Sequence, residues 1–410
     1  MATWATAQGL WGATSNLGSP GTCATGLVSN LLGKEAHSSS GEPQVKVLPI
    51  PTSSILFFAL ASLCFAQVDP IPKNATAAVL KAFEAHDIVM LGEIHGNKQE
   101  YEWLDSLVAD PEFADRVDDI VMEFGNSLYQ KSVDRYIAGE AVPIEEAQRA
   151  WRNVLGLGPP PPIYGDLYKA VRETNLRRRG KHQMRVLCGD PYINWDKVKT
   201  QDELGPFLGH RDQWYAQVVK DEVLAKHHRA FLIAGSAHFL REEGDGYIEP
   251  ELRRAGAKTF VILAGTNAVS GYDDLDHRFD SWPATSIALL NGNWVGELLA
   301  IPVISGGTQG MDSHLKLKDA ADALLYLGPR DSLIAVEAPR EEVDGTPYGK
   351  ELLRRMAIFG FQPFIPQMLS HKTENPQFTR PGTERERGPS LSSGLPRNMN
   401  APLPPRPPSQ

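Results

Sequence analysis

Five short aliphatic runs constrain this chain more than any other feature: residues 87–91, 119–122, 184–188, 230–234 and 259–263. They are rich in Ile, Val, Leu and Met and too short for buried helices, so they read as strands covered on both faces. Between them lie stretches with apolar residues at helical spacing, over 97–108, 128–138, 144–153, 165–179, 211–228 and 248–255. In the first of these Asn97 suits an N-cap, with Glu100 three residues on as in a capping box. Strands alternating with helices predict an α/β fold: a mainly parallel sheet flanked by helices, with right-handed crossovers, in one large domain. Residues 323–327 suit a further strand and 350–359 a last helix. No internal repeat is visible.

The ends of the chain read differently. Residues 1–46 are a low-complexity extension rich in Gly, Ser, Thr and Ala. Ser54 to Ala66 is an apolar run of about a dozen residues, shorter than the roughly 20 a membrane span needs. It suits the apolar centre of a secretory signal within 47–66, with cleavage before Gln67. Such a signal normally opens a chain; a true start near Val45 or Val47 is one explanation, and a buried helix is the other reading of the run. The signal reading predicts a periplasmic or secreted protein. Cleavage would leave Cys188 as the only cysteine of the mature chain, with no disulfide. Residues 67–368 form the expected α/β domain, and 369–410 a disordered, proline-rich tail. From His371 onward that tail holds nine prolines and closes with Pro402-Leu-Pro-Pro-Arg-Pro-Pro408, too little apolar material to form a core.

The net charge of −9 argues against a nucleic-acid binder, which needs a basic face to meet phosphates. Three cysteines cannot build a four-thiolate zinc site. No phosphate-binding Gly-rich loop and no His-Glu-x-x-His follows a strand. Gly235-Ser236-Ala237 is not a nucleophile elbow, so Ser236 is not read as a nucleophile.

Ligands of open α/β sheets bind outside the carboxyl ends of the strands, and the ionisable residues of this chain fall there repeatedly. Gly92-Glu93-Ile94-His95-Gly96 follows the first strand, Glu123-Phe124-Gly125 the second, Gly189-Asp190-Pro191 the third and Gly235-Ser236-Ala237-His238 the fourth. Buried charges cost several kcal/mol each unless they are paired or metal-bound, so a convergence of Glu93, His95, Glu123, Asp190 and His238 marks a candidate site. Each has a plain structural alternative: a helix cap for Glu93, an ion pair with Arg185 for Glu123, a turn for Asp190, a satisfied loop histidine for His95 or His238. His227 and His228 read as solvated at a helix end, Arg177 to Lys181 as a solvated basic run, and Trp151, Tyr164, Trp195 and Trp214 as packing residues that could instead line a pocket. The prolines at 159–162 mark a rigid loop that could border a site.

Glu93-Ile94-His95 after a strand, Glu123 at a strand end and Gly235-Ser236-Ala237-His238 resemble the superfamily that groups ChaN-type haem-uptake proteins, Tiki-type metalloproteases and erythromycin esterases. The resemblance covers about residues 76–265. The Gly-Glu-x-His spacing matches the ChaN-like branch, whereas erythromycin esterases place one more residue between Glu and His. Three chemistries are implied. In one, Glu93, His95, Glu123 and His238 hold a divalent metal (Zn, Mn, Co or Fe) and its water for peptide or ester hydrolysis. In another, His95 is the base without a metal, oriented by Glu93, with His238 or Glu123 stabilising developing charge and Asp190 close by. In the third, the protein binds haem without catalysis, through His95, His238, Tyr101 or Tyr192. The expected partner is a small molecule, a peptide or haem. Oligomeric state is left open.

Overall fold

The computed structural model describes residues 69–156, 158–241, 247–265, 277–300, 314–360 and 400–405. The low-complexity extension and the signal-like segment ending at Ala66 lie outside the described residues, as does the tail apart from 400–405.

Among the described residues, eight strands form one sheet: β1 (Lys73–Asn74), β2 (Ile88–Glu93), β3 (Asp119–Asn126), β4 (Arg185–Asp190), β5 (Ala230–Gly235), β6 (Thr259–Gly265), β7 (Ser286–Leu289) and β8 (Ala323–Tyr326). Their order is β1-β7-β8-β6-β2-β5-β3-β4. From β8 to β4 every pairing is parallel, while β7 runs antiparallel to both β8 and β1. The α/β, mainly parallel architecture is therefore observed. The five apolar runs become β2 to β6 and residues 323–326 become β8. Two elements are additional. β1 is only two residues long, and β7 buries Ile287 and Ala288 but leaves Leu289 exposed, so neither carries a continuous apolar run.

The main helices are α1 (Ala75–Ala82), α2 (Lys98–Ala109), α3 (Pro111–Arg116), α4 (Gln130–Ile137), α5 (Ile163–Arg177), α6 (Gln201–Gly209), α7 (Arg211–Glu222), α8 (Ile248–Arg254) and α9 (Pro347–Ile358). Side chains alternate across a strand, and the sheet uses both faces. Val89, Leu91, Phe231 and Ile233 pack with α1 to α5 on one side. Ile88, Met90, Leu232 and Ala234 pack with α7 and α8 on the other. Burial on both faces explains why these strands lack the polar alternation of a half-exposed sheet. Residues 144–153 form two short helical turns rather than one helix, and the stretch from 211 ends as an α-helix at Glu222. No helix among the described residues is long and apolar enough to cross a membrane.

Asn97 caps α2 as expected, its Oδ1 accepting the Glu100 N–H at 2.9 Å. The reciprocal half of the capping box is absent. Glu100 instead reaches back to accept the Ile94 N–H at 2.8 Å, tying the start of the helix to the turn that carries His95.

Candidate functional site

The register brings four strand ends side by side, because β5 lies between β2 and β3 and β4 follows on the far side of β3. Glu93 closes β2, Asp190 closes β4, and His238 lies in a 3-10 turn directly after β5. Glu123 sits where the β3–β4 register shifts, between Met122 and Asn126. A bulge of this kind re-aims a side chain that regular pairing would commit to one face.

Two backbone features make room. Gly96 has φ +74°, a conformation glycine adopts without steric cost, and it turns the chain immediately after His95. At Gly235 a Cβ would stand 2.8 Å from His95 Nε2, so any side chain there would strike the imidazole.

Glu93 and His95 form the outer pair. The His95 Nδ1–H donates to Glu93 Oε1 at 3.0 Å, and the other oxygen of Glu93 accepts the Tyr101 hydroxyl. Glu93 is buried, whereas the His95 side chain is 26% exposed. Its Nε2 lies 3.9 Å from Glu123 Oε2. Burial opposes charge on His95, but the carboxylates of Glu123 and Glu93 outweigh it and raise its pKa above the ordinary value. Phe124 meets the His95 ring edge-on and stacks on Tyr164 with centroids 3.7 Å apart. Tyr164, read from the sequence as a packing residue that could instead line a pocket, walls the site, with its hydroxyl 3.5 Å from His95 Nδ1.

Glu123 is shared between two sets of partners. Its Oε2 accepts the Gly235 N–H at 2.7 Å. Its Oε1 meets Arg211 Nη2 at 3.0 Å and His238 Nε2 at 3.6 Å. Burial pushes this carboxyl up, yet Arg211, His238 and His95 together hold it well below the usual carboxylate range. The ion pair with Arg185 weighed from the sequence does not form, because Arg185 faces Asp119 and Glu222.

Two site residues were not singled out from the sequence. Arg211 bridges Glu123 and Asp190, its Nε donating to Asp190 Oδ1 at 2.6 Å. Asp212 accepts the His238 Nδ1–H at 2.6 Å. Both open helix α7. A cation in the first helical turn opposes the helix dipole, and that mismatch was the available signal for Arg211. Burial opposes charge on His238 as well, but Asp212 and Glu123 raise its pKa to about 10. Burial raises Asp190 to about 6 against the pull of Arg211, and its second oxygen accepts the Leu155 N–H. Asp190 is thus an anchor of Arg211 rather than a simple turn residue.

His95 lies against Glu93 and Glu123, His238 faces Glu123 and Asp190 joins them only through Arg211, so both imidazoles flank the same carboxylate. They differ in availability. Glu93, His95 and Glu123 each offer one ligand atom, all within 4.8 Å of one another. Mixed nitrogen and oxygen donors suit a borderline divalent ion, and three protein ligands leave a position for water, so this trio fits a metal. His238 lies outside it, bound to Asp212 through one nitrogen and facing Glu123 through the other. Of the four expected haem ligands, Tyr101 is hydrogen-bonded to Glu93, Tyr192 and His238 are buried, and His95 alone is partly open. Ser236 donates to the Gly92 carbonyl at 2.8 Å, a structural role. His228, expected to be solvated, instead pairs with buried Asp119 at 2.7 Å.

No protein-family model and no curated protein matches the chain. Solved structures do match, at low identity. One is a haem-binding ChaN of Campylobacter jejuni, at 11% identity and TM-score 0.32, covering 63% of this chain and 98% of that one. Another is a mutant of the erythromycin esterase EreC in its open conformation, at 11% identity and TM-score 0.41, covering 64% and 98%. A succinoglycan biosynthesis protein matches at 12% identity and TM-score 0.41, covering 67% and 97%. At such identities and scores these likenesses say nothing about activity.

Proposed function

We propose that this protein is a hydrolase of ester or peptide bonds in which the Glu93–His95 pair activates water. One observation carries the reading: Glu93 takes up the Nδ1–H of the only partly exposed imidazole of the cluster. That leaves Nε2 as the basic nitrogen, turned toward Glu123. In the reaction His95 Nε2 removes a proton from water as the oxygen attacks a carbonyl carbon. Glu93 stabilises the imidazolium, and the same proton passes to the departing alkoxide or amine. Arg211 and the Asp212–His238 pair hold Glu123 ionised. The Phe124–Tyr164 stack forms an apolar wall beside the reacting groups. In the alternative form of the reaction, Glu93, His95 and Glu123 would hold a divalent ion such as Zn, Mn, Co or Fe, which would supply a water of lowered pKa in place of His95 acting as the base.

The test is hydrolysis of p-nitrophenyl acetate and of a peptide panel by the purified protein, with and without added Mn, Zn or Co, beside elemental analysis. His95→Ala and Glu93→Gln should each lower the rate by roughly 10²–10⁴-fold, the usual worth of a positioned general base. Because the His95 pKa is raised, the rate should climb with pH through a value above 6.5. Equal rates for the wild type and His95→Ala overturn the proposal. Haem binding is the second reading, favoured only by the exposure of His95. A Soret band on haem titration that is lost in His95→Ala would support it.

Residues 54–66 support a further proposal, export to the periplasm or medium. A mature protein beginning at Gln67 would bear it out, and one still beginning at Ala2 would end it.

A further inference from the structure

We propose that Tyr192, Phe207, His210 and Trp214 form a docking groove for an extended proline-rich peptide, filled here by residues 400–405 of the same chain. The proposal is independent of the reading of the catalytic cluster.

The ligand's shape follows from its sequence. Pro402, Pro404 and Pro405 each fix their own φ near −65°. Each also pushes the residue before it, here Ala401, Leu403 and Pro404, toward extended backbone. A segment with both restraints is set for a polyproline II helix before it meets any partner. That helix has three residues per turn and no internal hydrogen bonds, so its carbonyls need donors from outside, and carbonyls three residues apart point the same way. The groove supplies donors at that spacing. His210 Nε2 bonds the Ala401 carbonyl at 3.1 Å, and the Tyr192 hydroxyl donates to the Pro404 carbonyl.

Between these two contacts the groove is apolar. Tyr192 packs edge-on against Trp214 and Phe207, with centroids 4.7 and 6.0 Å away. Leu403 packs against the cluster built around these rings. Aromatic walls with ring-borne donors, an apolar side chain set between prolines and carbonyls held one turn apart are how pre-extended proline segments are recognised, since little entropy is lost on binding. The sequence alone suggested a disordered tail over 369–410. These six residues are instead seated on the α/β domain.

A groove filled by a tethered segment resists a competing peptide. Tethering supplies an effective concentration of order 1 mM, so a peptide whose Kd for the open groove is about 0.1 mM should bind some tenfold more weakly when the segment is in place. The test uses the full chain. Leu403→Asp should release the tail, and a fluorescent peptide with the sequence of residues 400–410 is then titrated by anisotropy. The peptide should bind Leu403→Asp at least tenfold tighter than the wild type. Tyr192→Phe in the same background should weaken that binding while leaving the circular dichroism unchanged. Leu403→Ala provides a milder second opening should the aspartate variant fold poorly. No binding to either opened chain, or a ratio to wild type below threefold in a chain that melts like the wild type, overturns the proposal.

Discussion

Strand β3 carries a buried carboxylate at its beginning, Asp119, and another four residues on, Glu123, and the sheet treats them in opposite ways. Each has an arginine and a histidine beside it. Asp119 meets Arg185 Nε at 3.2 Å and His228 Nδ1 at 2.7 Å. Its carboxyl is nevertheless raised, because burial outweighs partners that are themselves about one third exposed. Glu123 meets Arg211, His238 and His95, and its carboxyl is strongly lowered although burial pushes the other way. The difference lies in the partners. The Arg211 and His238 side chains are only 13% and 10% exposed, so water screens their fields little, whereas Arg185 and His228 share theirs with solvent. One strand thus offers a solvent-screened ionic peg at the amino edge of the sheet and an over-compensated, better-shielded cluster at the carboxyl edge. Only the second sets two imidazoles, those of His95 and His238, against one carboxylate.

The largest effect that tests this contrast is removal of the guanidinium. Arg211→Met leaves two buried carboxylates facing each other without their bridge, and should cost about 3–5 kcal/mol in urea unfolding. Arg185→Met, at the more open end, should cost about 1 kcal/mol or less. Similar costs for the two variants would show that the ends of β3 are not electrostatically distinct.

Much of this was legible before any coordinates. The β2 to β6 runs are apolar because both faces of the sheet are covered, and the ionisable residues fall at strand ends because a parallel sheet opens there. What stayed hidden depends on long-range pairing. Arg211 and Asp212 read as the polar start of a helix, and only the fold places that start over the ends of β3 and β5. His228 seemed solvated because its partner Asp119 lies far away along the chain. Helix α6 was missed although Thr200 and Glu203 form a full capping box, since Gly205 and Pro206 interrupt its helical pattern. β1 is held by backbone pairing to β7 and buries no side chain that could announce it.

A middle-sized effect concerns pH. The folded pKa of His238, about 10, lies above its unfolded value near 6.5. Its contribution to stability is therefore complete below about pH 6.5 and is lost as pH rises toward 10. Asp212→Asn should lower the His238 pKa by about 1–3 units, the usual influence of an adjacent opposite charge, and so flatten that decline. Imidazole titration by NMR and urea midpoints at pH 6, 8 and 10 would check both. At the acid end the sign reverses. The lowered carboxyl of Glu123 contributes above its unfolded value near 4.5, and that contribution should disappear as pH falls below it. A His238 that titrates near 6.5 in the folded chain would remove the distinction between a fixed cation at 238 and a titrating base at 95.

The smallest effect belongs to Asp119. Burial has already raised its carboxyl, so at neutral pH the charged form is held less favourably here than in the unfolded chain. Asp119→Asn removes that cost and keeps an oxygen able to accept from His228. The change should alter stability by no more than about 1 kcal/mol, within the range of a neutral hydrogen bond exchanged for a charged one. Glu123→Gln differs in kind, because it leaves the largely shielded Arg211 and His238 without their shared counter-charge, and should cost several times more. The ratio of the two costs, measured in one urea series at pH 7, is the sharpest form of the comparison. A ratio near one would mean that the cations around Glu123 do no more for the fold than those around Asp119. Their concentration at the carboxyl edge would then have no bearing on the chemistry proposed there.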